Sequence, residues 1–289
     1  MLKRRIIATV VVLDGIAVQS IGFCRYLPLG RPEIAVEFLD RWGVDEINLV
    51  DISASRAMRG PDNDMVMRVA KNCHVPLTVA GGIHNNDQIG QLLSSGADKV
   101  VINTAARSEP KFVTSAAQLF GNQCIVVSID AIRDEQGDLW VYDYLEGALI
   151  SEVPADQAVR MQDAGAGEIL LNSVDRDGSY SGFDLGLIAS VVNAVTVPVT
   201  AAGGAGQPAH FADGFTSTGV SGLAAANFFH FWEHSITIMK SCLDESIPIR
   251  RETAFDYTNS VTDLTGRLKK KSDEALKKML YIQVDKEVI

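Results

Sequence analysis

Carboxylates stand at or just past the ends of several short apolar runs. Asp51 closes Glu46–Asp51, Asp130 closes Cys124–Asp130, and Asp175-Arg176-Asp177-Gly178 follows Glu168–Ser173. An acid at the end of a buried run is placed to give or take a proton. Two other runs end in paired glycines: Val75–His84 reads VPLTVAGGIH, and Val197–Gly206 reads VPVTAAGGAG, 122 positions later. Without a Cβ, Gly81-Gly82 and Gly203-Gly204 let a backbone come close to something. Where a helix follows, the free N–H groups at its start suit an anion such as phosphate. A tight turn with no ligand would use the same glycines, but two matched copies favour binding. Asn103-Thr104 and Ala226-Asn227 end the runs that come next. The phosphate-suited corners are therefore Gly82 with Asn103 and Thr104, and Gly204 with Ala226 and Asn227.

The elements that position these residues alternate. Strands are expected at Ile6–Val12, Glu46–Asp51, Leu77–Ala80, Lys99–Ile102, Cys124–Asp130, Glu168–Ser173, Val199–Ala202 and Gly222–Ala225. Helices are expected at Pro32–Trp42, Asp64–Asn72, Asn86–Ser95, Pro110–Phe120, Ala155–Ala164, Asp184–Val195, Pro208–Phe215 and Phe231–Leu243. Several open on proline or a polar cap and close on glycine. Eight βα units predict a (β/α)8 TIM barrel over residues 1–250, with the chemistry at the C-terminal ends of its strands. The repeat goes beyond the glycines: Gly43–Glu46 is echoed by Gly165–Glu168, and Ile6–Val11 aligns with Ile125–Asp130. The barrel thus reads as two fused half-barrels, with its two phosphate corners on opposite sides of the mouth. Residues 251–289 break the rhythm and form an extension, with a short helix expected at Ser272–Leu280.

Composition bounds the partners. The 289 residues are 47% hydrophobic and 21% charged, enough to bury a large core. A formal net charge of −10 argues against nucleic-acid binding. Cys24, Cys73, Cys124 and Cys242 form no CxxC pair, and read as free thiols of a cytoplasmic protein. No apolar stretch is long enough to span a bilayer. No metal or cofactor motif is present. At the other end of the strands, Arg5, Glu46, Lys99 and Glu168 begin strands one, two, four and six. Alternation points all four inward, as a neutralised plug at the barrel floor.

FGNQCIVVSIDA, ILLNSVDRDGSYSGFD, VTAAGGAG, GADKVVINTAA and FFHF together resemble the cyclase subunit of imidazole glycerol phosphate synthase, from residue 1 to about 250. The related phosphoribosyl isomerase shares the half-barrel repeat but matches less well at strands five and eight. The resemblance implies a glutaminase partner at the N-terminal face, whose ammonia crosses the barrel to a bisphosphate ligand. It implies ligand contacts at Asp177 and Gly178, an ammonia gate of Arg5, Glu46, Lys99 and Glu168, and partner contacts at Asp98 and Gln123. Asn48, Thr78, Ser128 and Asn172 would line the path. It also implies an acid–base pair of aspartates on strands one and five. Asp130 fills the second place, but the first is Val11, and Gln19 stands where the family has a lysine. Asp14, three residues on, is the candidate replacement. The expectation is therefore a divergent paralogue that conducts ammonia with low cyclase activity of its own. Such family members are associated with surface-polysaccharide synthesis, where an ATP-dependent amidotransferase makes an acetamidino sugar. The alternatives are a working histidine-pathway cyclase with a relocated acid, and a scaffold that only activates the glutaminase.

Overall fold

Runs of Val, Ile, Leu and Ala that are apolar on both faces suit strands covered on both sides, as in a parallel sheet wrapped by helices. A computed structural model describes residues 3–231 and 234–251, with 257, 260–263, 267–269, 272 and 274. The strands are β1 (Arg5–Leu13), β2 (Ile16–Ile21), β3 (Arg25–Gly30), β4 (Glu46–Asp51), β5 (Leu77–Ala80) and β6 (Lys99–Ile102), then β7 (Ile125–Arg133), β8 (Leu139–Asp143), β9 (Ala148–Ile150), β10 (Glu168–Ser173), β11 (Val199–Ala202) and β12 (Gly222–Ala225). The helices are α1 (Pro32–Arg41), α2 (Ile52–Arg56), α3 (Asn63–Ala70), α4 (Asn86–Ser94) and α5 (Thr104–Ser108), then α6 (Pro110–Phe120), α7 (Pro154–Ala164), α8 (Leu185–Ala194), α9 (Pro208–Thr218) and α10 (Ser235–Ser241).

Eight of these strands pair in parallel in the order β1-β4-β5-β6-β7-β10-β11-β12, and β12 returns to β1. The sheet is a closed barrel of the expected (β/α)8 type. Between the strands and the outer helices lies one continuous apolar core. Helix starts follow the sequence: Asp62, Asn85 and Asp184 accept hydrogen bonds from backbone N–H groups of the first turn. Pro32, Pro110, Pro154 and Pro208 occupy first-turn positions where a missing N–H costs nothing.

Besides the short added helices α2 and α5, two features differ from expectation. Antiparallel hairpins, β2–β3 after β1 and β8–β9 after β7, extend the sheet past the barrel mouth. The last helix begins only at Ser235, because His234 before it adopts a left-handed φ of 54°. Past the barrel, Arg250 pairs with Asp45, and Arg251 caps the end of α10 by donating to the Lys240 and Leu243 carbonyls. The helix expected at Ser272–Leu280 lies outside the described residues apart from Ser272 and Glu274. Among the described residues, no helix is long and apolar enough to cross a membrane.

Candidate functional site

Strand register fixes which positions of the two half-barrels correspond. Glu46 begins its strand just as Glu168 does, and they lie opposite Ile7 and Val126 respectively. Four residues further along, Val11 faces Val50 and Asp130 faces Asn172. Val11 and Asp130 are thus structural equivalents. In the same way Thr78 lies opposite Lys99 and Thr200 opposite Gly222, which makes Asn103 and Ala226 equivalent.

A cavity of about 190 Å³ opens at the C-terminal ends of the strands. Asp130, Gly82, Asn103, Thr104, Asp177, Gly178, Gly204, Ala226 and Asn227 all line it, and so does Val11. Asp130 is 3% exposed. Its Oδ2 accepts from Asn103 Nδ2 at 2.8 Å and its Oδ1 from Asn172 Nδ2 at 2.7 Å. Burial pushes this carboxyl above the usual range, against the pull of the two amide donors. A carboxyl held in this way keeps its proton to higher pH and is suited to giving it up to a reacting group. At the equivalent place on the other side of the mouth stand Val11, Val50 and Ala226, so neither the acid nor either amide donor has a counterpart there. Asp14, the candidate replacement, lies outside the cavity lining. It sits at φ 49° in the β1–β2 turn, exposed. Gln19 is buried, 8% exposed.

The glycine corners are demanded first by the protein itself. A Cβ on Gly82 would come within 2.5 Å of the Arg59 carbonyl oxygen, and one on Gly204 within 2.0 Å of that of Gly182. Both also have positive φ, 70° and 96°. These glycines are therefore required by loop packing, and the cavity beside them is a separate observation. Two other expected ligand residues also have protein partners. Asp177 accepts from Ser20 Oγ at 2.7 Å and from the Phe23 N–H at 3.3 Å, while Asn227 donates to the Ser20 carbonyl at 2.6 Å. Burial raises the Asp177 pKa, opposed by those bonds. Through them the β2–β3 hairpin is fastened across the mouth.

At the opposite end of the strands the four charges form one closed ring. Arg5 reaches Glu46 and Glu168, each at 2.6 Å, and Lys99 reaches the same two at 3.0 and 2.9 Å. Thr78 Oγ1 adds a bond to Glu46 at 2.7 Å. Burial alone would raise the Glu46 pKa, but Arg5 and Lys99 outweigh it and hold the group below its ordinary value. Asp98 and Gln123 are exposed at this end of β6 and β7, and Asp98 also accepts from the Leu77 N–H. The interior above the ring is not polar throughout. Val101, Val126 and Leu170 form a separate apolar cluster with Ala80, one layer below Asn103 and Asn172.

Sequence reasoning missed the cavity residues carried by the hairpins and by α2, among them Ser20, Phe23, Ser55, Arg56 and Tyr144. One signal was present, the Asp14-Gly15 pair between two apolar runs, which is a strong mark of a two-residue hairpin turn. Among the described residues no cluster of His, Cys, Asp and Glu could hold a metal.

Comparison with known proteins agrees with this geometry. The model of the histidine biosynthesis protein family matches residues 5–235. A Vibrio vulnificus (strain YJ016) protein, provisionally named imidazole glycerol phosphate synthase subunit hisF2, is 44% identical over 269 residues, covering 92% of this chain and 98% of the relative. A two-fold (β/α)8 barrel with its cavity at the strand ends, matched over nearly all of its length, places the chain in the histidine biosynthesis protein family, among the cyclase-type subunits of imidazole glycerol phosphate synthase.

Proposed function

We propose that this chain is the synthase-type subunit of a glutamine amidotransferase whose cyclisation chemistry has been lost or reduced. A glutaminase docks at the floor, near Asp98 and Gln123, and its ammonia enters past Arg5, Glu46, Lys99 and Glu168. The observation that carries this reading is a complete charged ring beneath a mouth in which Asp130 corresponds to Val11. The ring carries two charges of each sign and is closed by ion pairs, so a cation gains little by entering it. The apolar cluster above admits neutral ammonia but makes ammonium costly, because an unpaired charge there gives up its hydration. At the mouth Asp130 supplies a proton on one side of a phosphorylated ligand held between the Gly82 and Gly204 corners. No group on the β1 side removes one. Ammonia is passed on to an acceptor, for which acetamidino-sugar formation by a downstream ATP-dependent amidotransferase is the proposed fate.

The test supplies free ammonium salt and the ribulosyl aminoimidazole carboxamide nucleotide to the purified chain. Turnover at least about a hundredfold below that of an ordinary cyclase subunit is expected, the usual worth of a positioned acid or base. Ordinary turnover would instead establish the second reading, a working histidine-pathway cyclase. With a glutaminase partner present, Lys99→Ala should leave glutamine consumption running while less ammonia reaches the mouth. A chain that neither binds nor stimulates any glutaminase would sink the amidotransferase reading.

A further inference from the structure

The loops after β4 and β10 carry a matched pair of residues that the cavity does not use. Met58 stands seven residues past Asp51, the end of β4, and Tyr180 seven past Ser173, the end of β10, so they are equivalents in the two half-barrels. Both have left-handed backbones, with φ of 49° and 56°. That conformation is an outlier for a bulky side chain, whereas glycine adopts it freely. The backbone's need for it is plain. Each loop goes on to set a carbonyl against its glycine corner, Arg59 on Gly82 and Gly182 on Gly204. The second loop already meets a like demand with glycine two residues earlier, at Gly178 with φ 69°. The side chains are what the chain itself leaves unexplained. Met58 is 91% exposed and Tyr180 47%. Neither lines the cavity, so a ligand held inside does not account for them.

Strain of this kind persists where the surroundings over-determine it, and it gathers at functional sites. Met and Tyr are also among the residue types that protein interfaces collect. By the two-fold repeat they flank opposite corners of the mouth, so a body touching both must span it. Leu145, 38% exposed and next to the cavity residue Tyr144, adds apolar surface to the same rim. A net charge of −10 gives nucleic acid and anionic membranes little to attract them, which leaves a protein. Ammonia leaving an open mouth takes a proton from water at neutral pH and is no longer a nucleophile. The protein that consumes it must therefore cover the mouth.

We propose that Met58 and Tyr180 anchor a protein-docking surface across the barrel mouth, whose occupant is the ATP-dependent amidotransferase that consumes the ammonia. Anchors at opposite corners fix how that protein sits, with the entrance to its own site over the cavity. The assignment rests on the reading of this chain as an ammonia-delivering subunit.

Its test is calorimetric titration of the full-length chain with the purified ATP-dependent amidotransferase of the same organism, without glutaminase or glutamine. Saturable binding is expected, weakened at least about tenfold when Met58→Gly and Tyr180→Gly are combined, the scale of losing interface anchors. Glycine relaxes both φ values, so the double variant should unfold at a urea concentration no lower than the parent's, which separates lost docking from lost folding. Should it unfold earlier, Met58→Asn with Tyr180→Asn takes its place, since asparagine also tolerates this backbone. An affinity within twofold of the parent overturns the assignment, and so does a parent chain that does not bind. Self-association of the parent, or its flotation with phosphatidylglycerol vesicles, that the double variant loses would mean a different occupant and overturn it too. In protein labelled with 13C in its methionine methyls, the resonance that disappears in Met58→Gly should shift when the amidotransferase is added to the parent. A stationary resonance overturns the assignment equally. If the chain stimulates a glutaminase while the double variant still binds the amidotransferase at full strength, only the docking surface fails. If docking through these residues holds and no glutaminase is stimulated, only the ammonia reading fails.

Discussion

Asp130 and Val11 occupy the same place in two copies of one half-barrel, yet their surroundings have diverged as a set. Around Asp130 stand Asn103 and Asn172, both donating to its oxygens. Around Val11 the corresponding residues are Ala226 and Val50. One half of the mouth is an equipped acid site, and the other is apolar at all three positions. A single change from valine to aspartate would therefore not rebuild a copy of the Asp130 site, because the donors that temper a buried carboxyl are missing as well. The floor diverges too: the first half supplies Arg5, Glu46 and Lys99, the second only Glu168. Ring and acid site are both joints between the halves, the ring with three residues from the first half and the acid site with Asn103 from the first and Asp130 and Asn172 from the second.

The largest expected effect tests the joint at the floor. Glu46→Ala leaves Arg5 and Lys99 with Glu168 alone and takes away the partner of Thr78. Breaking a buried ion pair from one side typically costs about 3–5 kcal/mol, so urea denaturation should show a loss of that order. Glu168→Ala should cost less, since Glu168 lacks the Thr78 bond. Equal or reversed losses would show that the ring does not bear unequally on the two halves.

Val11→Asp comes next. With no donor at positions 50 and 226, the new carboxyl should hold its proton more tightly than Asp130 does. The sign follows from linkage: the native chain keeps a proton that the unfolded chain releases, so stability falls as pH rises above the unfolded pKa of about 4. Discounting for the open mouth, a cost of about 2 kcal/mol at pH 7 is expected, vanishing near pH 4. A pH-independent cost would point to steric strain in place of charge burial.

How far all this could be read in the sequence depended on the kind of signal. The barrel strands announced themselves because runs such as Ile6-Ile7-Ala8 and Cys124–Asp130 are apolar on both faces and bounded by turns. The equivalence of Val11 and Asp130 was legible from the repeat, as were the four charges at the strand starts. The hairpins were far less so, with only the Asp14-Gly15 turn of the first to mark them. Ile16–Gly30 contains Gly22, Pro28 and Gly30 and reads as a loop. Its strand character comes from pairing with β1 beyond the point where the barrel closes, a tertiary effect that local propensity does not carry. Ser20 and Tyr144 were missed for that reason. Asp177 was read as a ligand residue with no sign that Ser20 would occupy it.

The amide donors give the smallest effects, and a matched pair. Asn172→Leu removes a bond that pulls the Asp130 pKa down, so its titration midpoint should rise by about one unit, the size of one hydrogen bond to a charged group. Carboxyl 13C titration of the labelled protein would read this directly. In the Val11→Asp background, Val50→Asn supplies the missing donor at the position equivalent to Asn172, and should lower the midpoint of the new carboxyl by a similar amount. Opposite shifts of like size would show that the two sites differ by their donors, within a common frame. If Val50→Asn has no effect while Asn172→Leu has its full one, the backbone of the first half no longer aims position 50 at position 11. The divergence would then extend from side chains into the geometry of the strands.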